Sequence, residues 1–557
     1  MPSDRNGSLP GCLTAQLLRA LKDYGARAVF GIPGDYALPM FDAIEQSDIL
    51  PLYTLSHEPA VAFAADAAAR VSGGVGVAAV TYGAGALNLI NGVAGAYAER
   101  SPLTILSAAP ARSKSWSALS LHHQVRRPES QLRIFREVTC AQAVLDNPKT
   151  APRLIAQILG ECARQSLPVY FEIPSDMALQ PCAPVSIQLP HEPDADAVAE
   201  CAAEIAALVR SAKQPVLMIG VEVRRFGLEA EVAELARRAN IPVVTSFTGR
   251  GVAALHAINS AGSYLGIAGD PKIAGLVENS DALVLLGVIL CDTNLGLASR
   301  RLDLRRVIHA FGGEVRIAHH VYPSIALKDL VRALIKHAPA WSPVTQIKPS
   351  PSSDLSPRSA FEADNEALRP SDIAGAINML FSNHGVLPMA CDIGDSLFVS
   401  LEIDHADLVA QAYYASMGFA VPAAFGIQAT TGNRPLVLVG DGAFQMTGWE
   451  LGNCQRYGFD PIVIVLNNRS WEMLRTFSPR SGFNDLSDWH FADLAHALGG
   501  DGIRVSTRQE LSRAMETAWR NTGKFQLIEV VLERGVTSDT LRRFVAALSQ
   551  RKMAPQW

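Results

Sequence analysis

Two short apolar runs joined by one helix-length segment constrain this chain more than any other feature. LVLV at 436–439 leads into Gly440, Asp441 and Gly442, TGWELGNCQRYG reads as a helix, and PIVIVLNN reads as a second buried strand ending in Asn467 and Asn468. Apolar runs with no polar alternation are strands covered on both faces, as α/β sheets require. In such sheets the ligand loops lie at the carboxyl ends of the strands, so a single crossover brings an acidic and an amide oxygen to neighbouring strand ends. Gly442 is expected to let the backbone turn tightly after the strand. A hard cation such as Mg²⁺ takes a few oxygen ligands and leaves its other octahedral positions to phosphate or water. Asp441, Asn468 and a backbone carbonyl just beyond it would form such a site. Taken singly, GDG is a turn signal and NN a polar loop. Together, at the spacing of one crossover, they are far more specific.

A chain of 557 residues exceeds what one core sustains, so two to four domains are expected. With 48% apolar and 18% charged residues and 42 glycines, the composition suits α/β layers with many strand-to-helix turns. A net charge of -5 with no basic cluster argues against nucleic acid as a partner. The eight cysteines are scattered without a CxxC pair, which fits a reducing compartment. No charged-then-apolar leader and no long apolar run is present, so a cytoplasmic protein without a membrane partner is expected.

Read in order, LTAQLLRALKDYGARAVFGIPGD is an amphipathic helix, a strand and a loop that places Asp35 at a strand end, where Pro-Gly-Asp is also ordinary turn chemistry. His57 and Glu58 open an alanine-rich helix. A carboxylate there complements the helix N-terminus, and in an apolar setting it can also share a proton with a heterocycle nitrogen. Gly83 and Gly85 begin a dinucleotide fingerprint that Asn88 leaves incomplete. His122 and His123 form a pair in a polar stretch, by itself a modest signal. A second α/β unit, 194–340, has GVEVRRFG and GVILCDTN as loops after strands, with Asp292 on the latter. Its histidines His319 and His320 read as structural. The proline- and serine-rich segment 341–369 is a linker, and a third α/β unit spans 370–557. Units one and three share a plan, helix, strand and acidic loop, without an alignable repeat. The expected fold is therefore three doubly wound parallel-sheet α/β domains.

GDG followed by NN resembles the thiamine-diphosphate motif, and GIPGD, SHEPAVAFAADAAAR, TYGAG, LHHQ, GDG and NN stand in the order found in the 2-oxo acid decarboxylases of that family. The likeness covers essentially the whole chain and is greatest to bacterial phenylpyruvate and indolepyruvate decarboxylases. It implies a pyrimidine-binding domain at 10–182, a middle domain at 194–340 and a diphosphate-binding domain at 370–557. Thiamine diphosphate would be held along Gly440, Asp441, Gly442 and Ala443, with Mg²⁺ on Asp441, Asn468 and the carbonyl of Ser470. Met417 would wedge the cofactor into its bent form, and Glu58 would hydrogen-bond its pyrimidine ring. Asp35, His122 and His123 match the residues that handle the 2-oxo acid substrate. A homodimer or homotetramer with the active site between subunits is implied.

One departure stands out. Many relatives carry a glutamate six residues after the second motif asparagine, where this chain has Leu474. Glu472 is a poor replacement, since two residues along a helix it faces roughly the other way. Asp292 is the candidate for part of that role, and the lost acid favours an aromatic side chain on the substrate. The expected reaction is carboxy-lyase chemistry, a 2-oxo acid giving CO₂ and an aldehyde. The alternatives are an acetolactate-synthase type carboligase and a non-catalytic regulator retaining the cofactor fold; a dinucleotide oxidoreductase is the weakest reading. The amphipathic helix LRRFVAAL near the C-terminus is a candidate lid.

Overall fold

The computed structural model describes residues 11–112, 120–187, 193–254, 260–295, 302–338, 361–404 and 407–553. Most of the expected linker, 341–360, lies outside this set, as does 113–119 ahead of the histidine pair.

Three sheets organise these residues. The first contains β1 (Val29–Ile32), β2 (Leu52–Thr54), β3 (Gly76–Val80), β4 (Leu103–Ala109), β5 (Ala141–Val144) and β6 (Val169–Pro174), all parallel in the order β2-β1-β3-β4-β6-β5. The second contains β7 (Pro215–Ile219), β8 (Val243–Ser246), β9 (Ser260–Tyr264), β10 (Ala282–Leu286), β11 (Val307–Phe311), β12 (Glu314–Ile317) and β13 (His320–Tyr322). The third contains β14 (Pro388–Cys391), β15 (Asp407–Ala410), β16 (Leu436–Gly440), β17 (Ile462–Asn467), β18 (Asp501–Val505) and β19 (Gln526–Val531), all parallel in the order β15-β14-β16-β17-β19-β18. Counted from its own first strand, the third sheet repeats the order of the first. The shared plan read from sequence is thus a shared topology. In both sheets the winding direction reverses between the first and third strands, and ligands of open α/β sheets bind outside the strand ends at such a point.

The middle sheet departs from the expected parallel arrangement at one edge. Gly312 and Gly313, both at positive φ, turn the chain after β11, and β12 and β13 run antiparallel beyond it. His320 is structural there, its ring nitrogen 3.0 Å from Glu204. The segment GVEVRRFG, expected as a loop, holds a short helix at Val221–Arg225.

By packing, the described chain divides into two compact units. The first comprises the N-terminal 191 residues with 418–434 and 447–459. Its centre is the helix Glu58–Ser72, which is buried from Ala60 to Arg70 and so carries alanine where a surface helix would carry charge. The helix Ala420–Thr431 lies against it so closely that a Cβ on Gly426 would stand 2.1 Å from the carbonyl oxygen of Ala64. Phe63 meets Phe419 edge-on at 5.6 Å, and the Arg70 guanidinium, paired with Asp66 at 2.7 Å, covers the same ring.

The second unit holds the other two sheets. Strands β16 and β17 are buried along their apolar runs, and their core includes Phe247, Leu265 and Ala268 from the middle segment. The C-terminal helix Asp539–Met553 belongs to that core. Leu541 is fully buried, Phe544 packs on Phe398 at 5.2 Å, and Ser538 just before it donates N–H and hydroxyl hydrogen bonds to buried Asp395. The first turns of the expected lid are therefore built into the unit. None of the eight cysteines is paired, and no described helix is long and apolar enough to cross a membrane.

Candidate functional site

Asp292 apart, the expected site residues fall into two groups, one in each unit. In the second unit the parallel register of β16 and β17 pairs Gly440 with Leu466, which puts Asp441 and Asn468 just past neighbouring strand ends. A helix begins at Asp441 itself and continues as a 3₁₀ segment from Gly448 and a last turn to Tyr457. One Asp441 carboxylate oxygen accepts the N–H of Gly442 at 2.8 Å and the other the N–H of Ser470 at 3.2 Å. Burial dominates its acidity and pushes the carboxyl up to about 6, against the pull of the N–H groups of Gly442, Ser470, Arg469 and Asn468.

A buried carboxylate with no cation partner among described side chains is costly, and the Oδ1 of Asn468 is buried beside this loop with no hydrogen-bond partner among the described residues. Two oxygens so placed fit a hard cation. Asn467 acts differently, since its Nδ2 donates to buried Glu529 at 2.6 Å and to Asp488 at 3.1 Å and so ties β17 to its neighbours. The Ser470 hydroxyl accepts from the Arg475 Nε at 2.8 Å.

Gly442 corrects the sequence reading. Its φ is not positive, and no turn demands it. A Cβ there would stand 2.5 Å from the Trp471 indole, so the glycine is needed for the loop after Asn468 to close over Asp441. Ala443 is buried in the same helix, whereas Gly440 faces open space. Met417 is half-buried ahead of the helix Ala420–Thr431. Leu474 is 48% exposed on the helix Glu472–Phe477, while Glu472 is buried and accepts the N–H of Gly535 at 3.0 Å. The two do face different ways. Asp292 is exposed, and among the described residues its carboxylate bonds only the adjacent Thr293 and no other candidate residue.

In the first unit the cluster follows the ends of β1, β2 and β3. Asp35 opens a 3₁₀ turn after β1, and its carboxylate lies 2.6 Å from Nε2 of His122. Desolvation works against its ionisation. The His122 hydrogen bond, the N–H of Tyr36 and the charges of both histidines outweigh it, so the carboxyl sits below the usual carboxylate range. His123, held at φ 65°, turns its Nδ1 to the carbonyl oxygen of Tyr82 at 3.0 Å. One ligand-capable atom each from Asp35, His122 and His123 lie within 4.8 Å of one another. The structure thus brings these three together.

Glu58 is the first residue of its helix after β2, half-buried, and accepts a hydrogen bond from the Asn88 amide at 2.8 Å. Asn88, which spoils the dinucleotide fingerprint, is there to hold Glu58. Sequence reasoning also missed Glu450. Fully buried, its carboxylate accepts the N–H of Ser56 at 3.0 and 3.1 Å and the Asn453 amide at 2.9 Å, so it fixes the loop that presents Glu58. Burial raises its carboxyl in spite of those donors. The only sequence signal was a glutamate on an otherwise apolar turn, TGWELG.

Comparison with known proteins gives three family matches along the chain. Residues 13–128 match the thiamine pyrophosphate enzyme N-terminal TPP binding domain, 202–337 the central domain and 392–530 the C-terminal TPP binding domain. The chain is 53% identical to an indole-3-pyruvate decarboxylase of Azospirillum brasilense over 98% of its own length and 99% of the relative's. It is 28% identical to alpha-keto-acid decarboxylases of Mycolicibacterium paratuberculosis, with 93% of each chain covered, and of Mycobacterium tuberculosis, with 97% of each.

Proposed function

Because the chain belongs to the thiamine pyrophosphate enzyme family, we propose that it removes CO₂ from an aromatic 2-oxo acid, of the indole-3-pyruvate or phenylpyruvate kind, and releases the aldehyde. The observation that carries the choice of substrate is the likeness, across nearly the full length of both chains, to an indole-3-pyruvate decarboxylase. Leu474 supports it, as an exposed apolar residue where many relatives have an acid.

Thiamine diphosphate supplies the electron sink for the pair left on the acyl carbon as CO₂ departs. The residues of this chain have separable roles. Asp441, Asn468 and the Ser470 carbonyl would hold Mg²⁺, and Gly440, Gly442 and Ala443 would border the diphosphate. Met417 would support the bent cofactor. Glu58, kept in place by Asn88, would share a proton with the pyrimidine ring, a role in which an amide is no substitute. Asp35, His122 and His123 would orient the substrate carboxylate and return a proton to the carbon that loses CO₂. Asp292 would assist them where relatives use the acid missing at Leu474.

In this reading residues 10–182 are the pyrimidine-binding domain, 194–340 the middle domain and 370–557 the diphosphate-binding domain. Two or four copies assemble in the cytoplasm, and each site takes its pyrimidine side from one subunit and its diphosphate side from another. The test is a panel of indole-3-pyruvate, phenylpyruvate, benzoylformate and pyruvate with thiamine diphosphate and Mg²⁺, scored by kcat/KM for CO₂ and aldehyde. Aromatic substrates should lead. A 2-hydroxy ketone as the main product, a preference for pyruvate, or no turnover would each refute the reading.

A further inference from the structure

Two consecutive residues hold both nitrogens of one imidazole. The Asp35 carboxylate stands 2.6 Å from Nε2 of His122, and the Tyr36 hydroxyl stands 3.0 Å from its Nδ1. The phenol ring also lies nearly flat on the imidazole, with centroids 4.5 Å apart and planes 16° from parallel. Although Asp35 and His122 are more than half exposed, Tyr36 is only 6% exposed and packs edge-on against Tyr82 at 6.0 Å. The core therefore fixes the hydroxyl, and the hydroxyl meets the histidine. His123 is placed differently: its Nδ1 faces the Tyr82 carbonyl oxygen at 3.0 Å, and its Nε2 has no partner among the described residues.

We propose that Tyr36 is a positioning residue that, with Asp35, locks the protonation pattern of His122 and leaves Nε2 of His123 as the ring nitrogen open to substrate. The proposal rests on the reading of Asp35, His122 and His123 as substrate-side residues. An ionised carboxylate only accepts hydrogen bonds, so Nε2 of His122 carries a hydrogen. In the neutral ring Nδ1 is then the acceptor, and the buried phenol is its donor. Burial, and next the charge of Asp35, keep the Tyr36 hydroxyl protonated well above neutral pH. If the ring gains a second proton, the same oxygen accepts from Nδ1 without moving, since a hydroxyl both donates and accepts. The Nδ1 of His123, against a carbonyl oxygen, must carry its hydrogen, which leaves the lone pair of the neutral ring on Nε2. The side chain of residue 36 thus decides which histidine exchanges protons.

Diethyl pyrocarbonate reads this directly, because it acylates an imidazole nitrogen whose lone pair is free. Trypsin releases both histidines in the peptide 115–126, where fragmentation separates them. In the wild-type holoenzyme His123 should be modified several-fold faster than His122. In Tyr36→Phe, which keeps the stacked ring, His122 should rise to the rate of His123. The kcat for the aromatic 2-oxo acid should fall about tenfold, the change expected for roughly one hydrogen bond's worth of transition-state stabilisation, with KM unchanged. A purely structural role would lower the melting temperature and leave the relative modification rates alone. Equal rates in the wild type, an unchanged His122 rate in Tyr36→Phe, or an unchanged kcat would overturn the proposal. If the wild type turned over no 2-oxo acid, the substrate reading would fail, while the two modification rates would still decide the clamp.

Discussion

Replacing Asp441 with asparagine separates what burial costs the cofactor-free protein from what the cofactor returns. The carboxyl is 3% exposed and its acidity moves from 3.8 to about 6. At about 1.4 kcal/mol per pH unit, that rise corresponds to about 3 kcal/mol. A group whose folded value lies above its unfolded value favours folding below the unfolded value. That advantage is lost as pH climbs through the window, here from 3.8 to about 6. The wild-type apoprotein should therefore lose stability relative to Asp441→Asn as pH rises, with about 2 kcal/mol of the loss between pH 4.5 and 7.5. Asparagine also carries a constant cost, because its Nδ2 meets one of the two N–H donors of Gly442 and Ser470. That cost, about 1–3 kcal/mol, does not depend on pH. The assay is thermal unfolding of chelator-treated protein across that range. The melting-temperature gap should change by roughly 2–4 °C, at roughly 1–2 °C per kcal/mol for a cooperative unit as large as the second one. Adding thiamine diphosphate and Mg²⁺ should stabilise the wild type and leave the variant unmoved. Parallel melting curves from pH 4.5 to 7.5 would refute burial as the dominant influence on Asp441.

Other substitutions test other parts of the site. Gly442→Ala drives a Cβ to 2.5 Å from the Trp471 indole; it should cost about 1–3 kcal/mol in stability and weaken Mg²⁺-dependent cofactor binding, and an unaltered calorimetric titration would show that the loop has room. Glu450→Ala takes the carboxylate acceptor from the N–H of Ser56 and the amide of Asn453, so thermal stability should drop by about 1–3 kcal/mol and kcat with it; a variant as active and stable as wild type would detach Glu450 from the presentation of Glu58. Asp292→Asn should lower aldehyde formation with cofactor affinity intact, and unchanged turnover removes Asp292 from the mechanism.

The strand ends were legible because chemistry and periodicity coincide there. LVLV before Gly440 and IVIVL before Asn467 can only be buried strands, and the polar residues after them have nowhere else to go. Asp35, Asp441 and Asn468 were all read at strand ends on that ground. What sequence could not give are partners that the fold brings in from far away. Glu450 meets Ser56 across 394 positions of chain, and Asn88 reaches Glu58 across 30. No local pattern encodes such pairs. Tyr36 was overlooked for the opposite reason, since an aromatic residue beside a turn looks like ordinary core. Gly442 was noticed for the wrong property: glycine was taken as conformational freedom where the structure uses its lack of volume. The antiparallel edge of the middle sheet hinges on Gly312 and Gly313, which the sequence reading did not single out.

The helix Ala420–Thr431, laid along the alanine-rich helix Glu58–Ser72, also bears on how the chain reaches its native state. The first unit is completed only by residues 418–434 and 447–459, so one face of its central helix stays uncovered until the last quarter of the chain has been synthesised. Closing a contact over more than 300 residues is slow compared with local pairing. An apolar flank that must wait on the ribosome is a natural point for chaperone capture or for mispairing with another nascent chain. Truncations that stop after the middle sheet should accordingly yield an aggregating fragment, even though every strand of the first sheet is present in it.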